Sequence, residues 1–485
     1  MKKLIHYSTI LALIVGFYAC SNEEINNLQH ENNQTRTYAT FTIEKDLNSK
    51  SLISDTSETD QIRDLRFIIF NENSQKCELN QVVTQTSGSH TFLLTQFGKS
   101  RIFVIANAES KNDIKTLLDS IKPGTTRLFQ FYEMVYDLEE NPTQNGPVSN
   151  INKLTRLVDN STGHIMSNGV DSTSNFIIYP SIAENDSKQG GTENNNFTIK
   201  IQRAVSKVTL YYDNNTLSIT DGTGIIKDLK YSINNINRSV YLFQQFSGNN
   251  IITPNTNQPA SPSFEEAQKL YYNSNDVLEL AGGGISGKNA VYITENTHDI
   301  NKAMIINSTY ILVEGTLVPK IQNIIEDFQY DSIIHKFAIK NPISFTEGID
   351  LYKVAFSSDS GMPQTAFFTD SITAYKALFC IKYGTETGFN VNRIDELRNS
   401  EEKVLKFNNS KCYYRIDLGL NNNIYAIKRN HHYRVQIASF NTVGENLKSN
   451  ITHPNKWTGQ PQPTYLSSKI SVVPWIIDDS VYPYQ

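Results

Sequence analysis

Reactive side chains are scarce in this chain. Its 485 residues include four cysteines, nine histidines and two tryptophans. No Cys-x-x-Cys pair and no Cys/His spacing of the zinc type occurs. No Gly-x-Ser-x-Gly turn is present to raise a nucleophilic serine. A basic excess is also missing: 44 Lys and Arg stand against 49 Asp and Glu, a net charge of -5, which lacks the footprint of a chain that binds nucleic acid, so no nucleic-acid partner is expected. The near-motifs fail on inspection. Gly282–Asn289, GGGISGKN, puts Asn289 where a phosphate loop needs a magnesium-holding hydroxyl, and no strand–loop–helix setting surrounds it. His431 and His432 are adjacent on a predicted strand, so they face opposite ways and share no metal. Glu23-Glu24 and Glu139-Glu140 read as solvated charges. We therefore expect no catalytic, cofactor or metal site, and read the chain as non-enzymatic.

What is present begins with a leader. Lys2 and Lys3 precede a mainly apolar stretch, Leu4 to Tyr18, broken by His6 to Thr9 and ended by Ala19. The stretch falls short of the ~20 residues that span a bilayer. Cys20 after Ala19 resembles a bacterial lipobox, which would cut between Ala19 and Cys20 and acylate the Cys20 thiol. Phe17 and Tyr18 are bulky for that motif, and a plain secretory signal is the alternative. Ser21-Asn22-Glu23-Glu24 is similar to the acidic stretch that sends lipoproteins to the surface of some Gram-negative cells. Ile25 to Arg36 then reads as a polar linker. The remaining Cys77, Cys380 and Cys412 allow at most one intrachain disulfide, Cys380–Cys412, or buried free thiols.

The mature chain reads as all-β. The 25 Tyr and 24 Phe suit half-buried pleated surfaces, and the many Asn and Ser suit polar loops. Strands are expected at Tyr38–Glu44, Leu65–Asn71, Thr91–Thr95, Arg101–Asn107, Phe176–Tyr179, Phe197–Ile201, Arg203–Tyr212, Ile225–Ile233, Val240–Phe243, Val291–Thr294, Met304–Val318, Phe337–Ile339, Tyr413–Leu418, His432–Ser439 and Lys469–Trp475. Helices are expected at Lys111–Ile121, Arg127–Leu138, from Ser263, and at Ile394–Leu405. The polar run Ser181–Asn196 is expected to be a loop without packing content. Trp457 and Trp475 are read as packing residues. Two β-sandwiches in tandem with a few short helices follow, dividing near Arg203: a signal peptide over 1–20, a linker and first strand over 21–50, an N-terminal domain over 51–203 and a C-terminal domain over 204–485.

The order of motifs along most of the chain resembles the fimbrillin family, the type V pilin subunits of Gram-negative surface fimbriae. The pieces are Ala39–Lys50 followed by Leu65–Asn71, the strand Arg101–Asn107, His164-Ile165-Met166-Ser167, Ile199–Val208, Val291–Asn296, Ile311–Gly315, and above all Lys428–Ile437 (KRNHHYRVQI) and Ile470–Trp475 (ISVVPW). The resemblance implies transthyretin-like sandwiches and a mode of assembly. Subunits reach the outer membrane as lipoproteins with the first strand in place. A trypsin-like protease then cuts after that strand, here between Lys50 and Ser51, and a neighbouring subunit's strand fills the vacated groove in an extracellular fimbrium.

On that reading Tyr38, Phe41 and Ile43 belong to the removable strand, and Ile476, Val481 and Tyr484 anchor the donated tail. The partners are other fimbrial subunits, the maturation protease and, before processing, the membrane through Cys20. Related pilins commonly carry Arg where Lys50 stands, which leaves the protease's identity open. The alternatives are an ordinary first strand, a frayed tail, and a non-polymerising surface lipoprotein that acts as an anchor, tip adhesin or binding module for glycan or host protein.

Overall fold

The computed structural model describes residues 36–45, 61–138, 154–159, 162–170, 174–212, 217–248, 250–255, 271–272, 278–280, 290–298, 307–342, 344–399, 403–418, 420–421, 424–452 and 466–474. The sites expected at Ala19, Cys20, Lys50, Ser51, Ile476, Val481 and Tyr484 lie outside these residues. So do Glu139-Glu140, the helix expected from Ser263, the loop Gly282–Asn289, Trp457 and Trp475.

The described chain is all-β with a few short helices. Its first half builds one eight-stranded sheet from β1 (Thr37–Lys45), β2 (Leu65–Asn71), β3 (Lys76–Val83), β4 (Ser89–Leu94), β5 (Gly98–Ala106), β6 (Met166–Ser167), β7 (Asn175–Ile178) and β8 (Asn196–Arg203). The strand order is β3-β2-β5-β6-β8-β1-β4, with β7 paired to β5. β2 is buried on both faces. Its sequence, LRFIIFN, is buried at every position. Leu65, Phe67 and Ile69 enter a core with Ala39, Phe41, Phe92 and Phe197. Ile68 and Phe70 enter a second core with α1 (Asn112–Asp119) and α2 (Leu128–Tyr132). Period-two alternation thus feeds both faces of one strand.

The chain changes sheets at Ala204-Val205, both fully buried. β8 ends at Arg203, and β9 (Ser206–Tyr212) opens the second half. There, β10 (Gly224–Asn234), β11 (Leu278–Glu279), β12 (Ala290–Ile293), β13 (Tyr310–Pro319), β20 (Lys411–Asp417), β21 (His431–Phe440) and β22 (Leu466–Pro474) form two four-stranded sheets, β12-β9-β21-β22 and β11-β10-β13-β20. They share a core that includes Leu210, Tyr231, Val313, Tyr414 and Val435.

β13 and β20 are direct antiparallel neighbours, from Tyr310↔Asp417 to Thr316↔Lys411. The chain between them forms an inserted unit whose Leu351, Phe367 and Phe407 still join the main core. It holds a sheet of β14 (Ile324–Ile325), β18 (Thr365–Phe368), β17 (Leu351–Ala355) and β19 (Leu405–Phe407), the hairpin β15 (Asp327–Asp331)–β16 (Lys336–Lys340), α4 (Ser371–Tyr383) and α5 (Ile394–Arg398). Phe328, Phe337, Val354, Phe368 and Cys380 make its separate core. α4 starts where Asp370 Oδ2 accepts from the Thr373 N–H at 2.7 Å and stops at Gly384, whose φ is 66°.

Two expectations are corrected. Cys380 and Cys412 do not pair. Cys77, Cys380 and Cys412 are all buried free thiols, and Cys380 lies in the inserted unit's core whereas Cys412 lies in the main one. The run Ser181–Asn196 is not without packing content. It forms the short helix α3 (Glu184–Ser187) and carries two fully buried residues, Ser187 and Asn195.

Candidate functional site

β1 is an interior strand. It runs parallel to β8, from Thr40↔Asn196 to Lys45↔Ile201, and antiparallel to β4, from Thr37↔Leu94 to Thr42↔Ser89. β4 has no other strand partner among the described residues. Both backbone edges of β1 are therefore in use.

Alternation divides its side chains between two faces. Ala39 and Phe41 are fully buried, and Ile43 is half-buried behind them. The Phe41 ring lies 5.8 Å from Phe197, 5.8 Å from Phe67 and 6.0 Å from Phe92. Tyr38 sits half-buried on the opposite face, with Thr40 and Thr42. Thr40 Oγ1 is 2.9 Å from both Thr91 Oγ1 and Ser187 Oγ, and Thr42 Oγ1 is 2.9 Å from Ser89 Oγ. The three expected strand residues thus share one strand but not one pocket. His90, opposite Phe41 on β4, packs its ring 5.4 Å from Phe67, and burial holds its imidazole below the ordinary value.

Asn195 fixes the start of the strand. Its φ of 56° lies in the left-handed region that Asn tolerates. Its Nδ2 reaches Thr37 Oγ1 at 3.1 Å, Tyr38 O at 3.1 Å and Tyr179 O at 2.8 Å, while Oδ1 accepts from the Tyr179 N–H at 2.7 Å. The Thr40 N–H donates to Asn195 O at 2.8 Å and the Tyr38 N–H to Ile182 O at 3.0 Å. Thr37, itself fully buried, donates to Tyr179 O at 2.6 Å. The only sequence signal for Asn195 is its place in an Asn triplet that also permits a loop.

Beyond the exposed Glu44 and Lys45, the described chain resumes at a second clamp. Asn107 Oδ1 accepts from the Arg63 N–H at 2.8 Å, and Asn107 Nδ2 donates to Gln61 O at 3.0 Å and His164 O at 2.7 Å. Gly163 must be glycine there: its φ is 84°, and a Cβ would lie 2.5 Å from Asn107 Nδ2. In sequence, Lys50 falls between the residues of the two clamps. Arg36 and Arg63, the arginines that bracket the strand, are exposed.

A polar centre ties the two halves together. Arg429 and Glu295 are 0% and 2% exposed and pair at 2.7 Å. Arg429 also donates to Leu242 O at 3.2 Å and Tyr241 O at 2.7 Å, and its backbone N–H donates to Glu295 Oε1 at 3.1 Å. Gln244 donates to the same carboxylate and accepts from Gln202 at 2.7 Å. Arg203 reaches Asn430 at 3.1 Å. The motifs Val291–Asn296 and Lys428–Ile437 carry this centre, but their spacing did not reveal it. His431 Nδ1 lies 2.6 Å from Arg429 O, whereas His432 Nε2 lies 2.9 Å from Thr209 Oγ1, so the adjacent histidines serve different neighbours. Among the described residues no group of three or more His, Cys, Asp or Glu could hold a metal. Burial pushes the Cys77, Cys380 and Cys412 thiols up to about 12, which removes the thiolate that reactivity needs.

No protein-family model and no curated protein matches the chain. Solved structures do. A fimbrilin (FimA) from Porphyromonas gingivalis aligns with 92% of this chain and 99% of its own, at 14% identity and a TM-score of 0.43. The C-terminally truncated tip fimbrial protein Mfa3 of the same organism aligns with 91% of this chain and 100% of its own, at 12% identity and a TM-score of 0.38. A structure described as a putative cell adhesion protein from Parabacteroides distasonis aligns with 91% of this chain and 97% of its own, at 13% identity and a TM-score of 0.43.

Proposed function

We propose that the chain is a structural subunit of a surface fimbria, exported as a lipoprotein through Cys20 and polymerised by protease-triggered strand exchange, with a contribution to adhesion. The single observation that supports this reading best is the setting of β1. Taking it away unpairs β8 along one edge and leaves β4 with no strand partner among the described residues, while the Phe41 site opens between Phe67, Phe92 and Phe197. Two rows of unpaired backbone groups beside an apolar groove form a strong template for an added strand. Lys50 lies in the segment between the two clamps, where a cut frees β1 and leaves β2 in place.

On this reading the chain comprises two transthyretin-like sandwiches divided near Arg203. It carries no enzymatic activity and uses no cofactor. Its partners are fimbrial subunits, the outer membrane before processing, and a basic-specific maturation protease. The donated strand is the tail beyond Trp475, with Ile476, Val481 and Tyr484 as anchors. Limited trypsin treatment of the purified full-length chain tests the proposal. A ladder of polymers on a gel is expected. A clipped chain that stays monomeric would favour the non-polymerising surface lipoprotein, and deletion of Ile476–Gln485 with undiminished polymer would remove the tail as donor.

A further inference from the structure

β4 depends on β1 for its strand pairing, yet its C-terminal end is held by something else. Thr95 and Gln96 follow Leu94 directly, and both backbone N–H groups donate to Glu78 Oε1 at 2.7 Å. The Thr95 hydroxyl reaches the same oxygen at 3.4 Å. Glu78 stands on β3, at the opposite end of the strand order from β4. Its other oxygen, Oε2, is buried and has no hydrogen-bond partner among the described residues, so the turn after β4 is what the carboxyl serves. The end of β2 and the turn that follows it add to the grip. Asn71 Nδ2 donates to Phe97 O and Ser74 Oγ to Gln96 Oε1, each at 3.0 Å. Asn71 is itself fixed, since its Oδ1 accepts from the Asn73 and Ser74 N–H groups at 3.0 Å.

This grip lies at one end of the seat. Leu94 pairs with Thr37, so Glu78 bonds to the residues next to the first β1–β4 pair. β8, the other wall, begins at Asn196, next to Asn195. Asn195 is tied to the Tyr179 N–H and carbonyl at 2.7 and 2.8 Å. Neither the Glu78 bonds nor the Asn195–Tyr179 pair involves a residue of β1, so both walls have an anchor at the Thr37 end that does not leave with the strand. The core contacts of Phe92 and Leu94 also hold β4, but apolar contact is non-directional. A strand that slips by one residue turns its inward side chains outward. Hydrogen bonds to two successive amides fix position along the strand, because they tolerate little change in distance or angle.

We propose that Glu78 is a positioning residue for strand exchange: after β1 leaves, it keeps β4 in register, so that the open seat receives a donor strand without first having to be rebuilt. The inference rests on the strand-exchange reading above and adds to it the residue that preserves the empty seat. A seat that is competent only part of the time binds more weakly by that fraction. The loss falls on association, because a bound strand holds β4 through its own backbone pairs.

The test starts from the full chain, as wild type, Glu78→Ala, Glu78→Gln and Glu78→Asp, each cut by limited trypsin while β1 stays seated. Native mass spectrometry over a dilution series reads the concentration at which the cut chain loses β1. A chase with excess isotope-labelled Thr37–Lys45 peptide reads the rate of loss. E78A should lose the strand at a concentration at least about tenfold higher, the factor that one hydrogen bond to a charged group is worth. Its rate of loss should stay close to wild type, so that the change is one of association. E78Q, whose amide oxygen can accept the same two N–H groups, should restore wild-type behaviour. E78D, too short to reach them, should behave as E78A. If E78A matches wild type, or differs only by faster loss, the role of Glu78 is overturned while strand exchange stands. A cut wild-type chain that never takes up the labelled peptide overturns strand exchange itself, and this inference with it.

Discussion

Phe41 of β1 and Phe197 of β8 stack with ring centroids 5.8 Å apart and planes 24° from parallel. They meet because the two strands run parallel in register, Phe41 opposite Phe197. That contact lies at the middle of the seat that holds the first strand, and it makes Phe41 the residue whose loss the seat feels most. Phe41→Ala in the unprocessed chain should cost about 3–5 kcal/mol, the usual range for a buried phenylalanine. Urea denaturation before and after proteolytic release of the strand measures it. The released form no longer contains the residue and should match the wild type.

Asn195 should matter nearly as much, although it is polar and sits in a loop-like sequence. Asn195→Ala removes the donor shared by Thr37, Tyr38 and Tyr179 and places a Cβ-only residue at φ 56°. A loss of about 2–3 kcal/mol is expected from orphaned buried groups and left-handed strain. Amide exchange of β1 should quicken selectively, which separates loosening of the strand from global destabilisation.

The Arg429–Glu295 pair makes a different prediction. Arg429→Met removes the counter-charge of the buried Glu295 carboxylate, which keeps only the Gln244 amide and the residue-429 backbone N–H as donors among the described residues, and it takes the guanidinium donor from the Leu242 and Tyr241 carbonyls. Removing one partner of a buried pair costs about 3–5 kcal/mol. Denaturation should become less cooperative as well, since the centre joins residues of both halves.

Acid should weaken the fold through His298. Burial lowers its pKa from 6.5 to about 4, against an opposing hydrogen bond to Asn307. The folded state holds the imidazole neutral while the unfolded chain protonates. Stability is therefore complete above 6.5 and is lost as pH falls toward 4, by about 3 kcal/mol at most. His298→Asn should flatten that part of the stability–pH curve.

The three buried thiols should stay silent to a thiol reagent in the native chain and react together on unfolding. Cys77, Cys380 and Cys412 are free, and each is pushed up to about 12. A native chain in which two of the three are already blocked would contradict this arrangement.

Much of the strand pattern was legible because apolar runs and alternation survive in the sequence. Leu65–Asn71 is a strand with the expected ends, and the helix expected over Lys111–Ile121 occupies Asn112–Asp119. The losses have physical causes. β3, KCELNQVV, is an edge strand with little buried surface, so it carries no strong alternation. α4 is apolar nearly all round, as Ala374, Ala377, Leu378, Phe379 and Cys380 are buried together, and it shows no single face to a periodicity reading. Ser187 and Asn195 hold β1 through hydrogen bonds over sequence separations of 147 and up to 158 residues, which local pattern does not encode. Of the candidate site, Tyr38, Phe41 and Ile43 were legible as a strand, but their division between two faces of the sheet follows from the pairing partners.

On the proposed function, β1 is a temporary occupant of its seat. Mass spectrometry of chains taken from assembled surface fibres tests it most directly. An N-terminus at Ser51 and no peptide from Thr37–Lys45 are expected. Fibre chains that begin at acylated Cys20 and still contain Tyr38, Phe41 and Ile43 would contradict it.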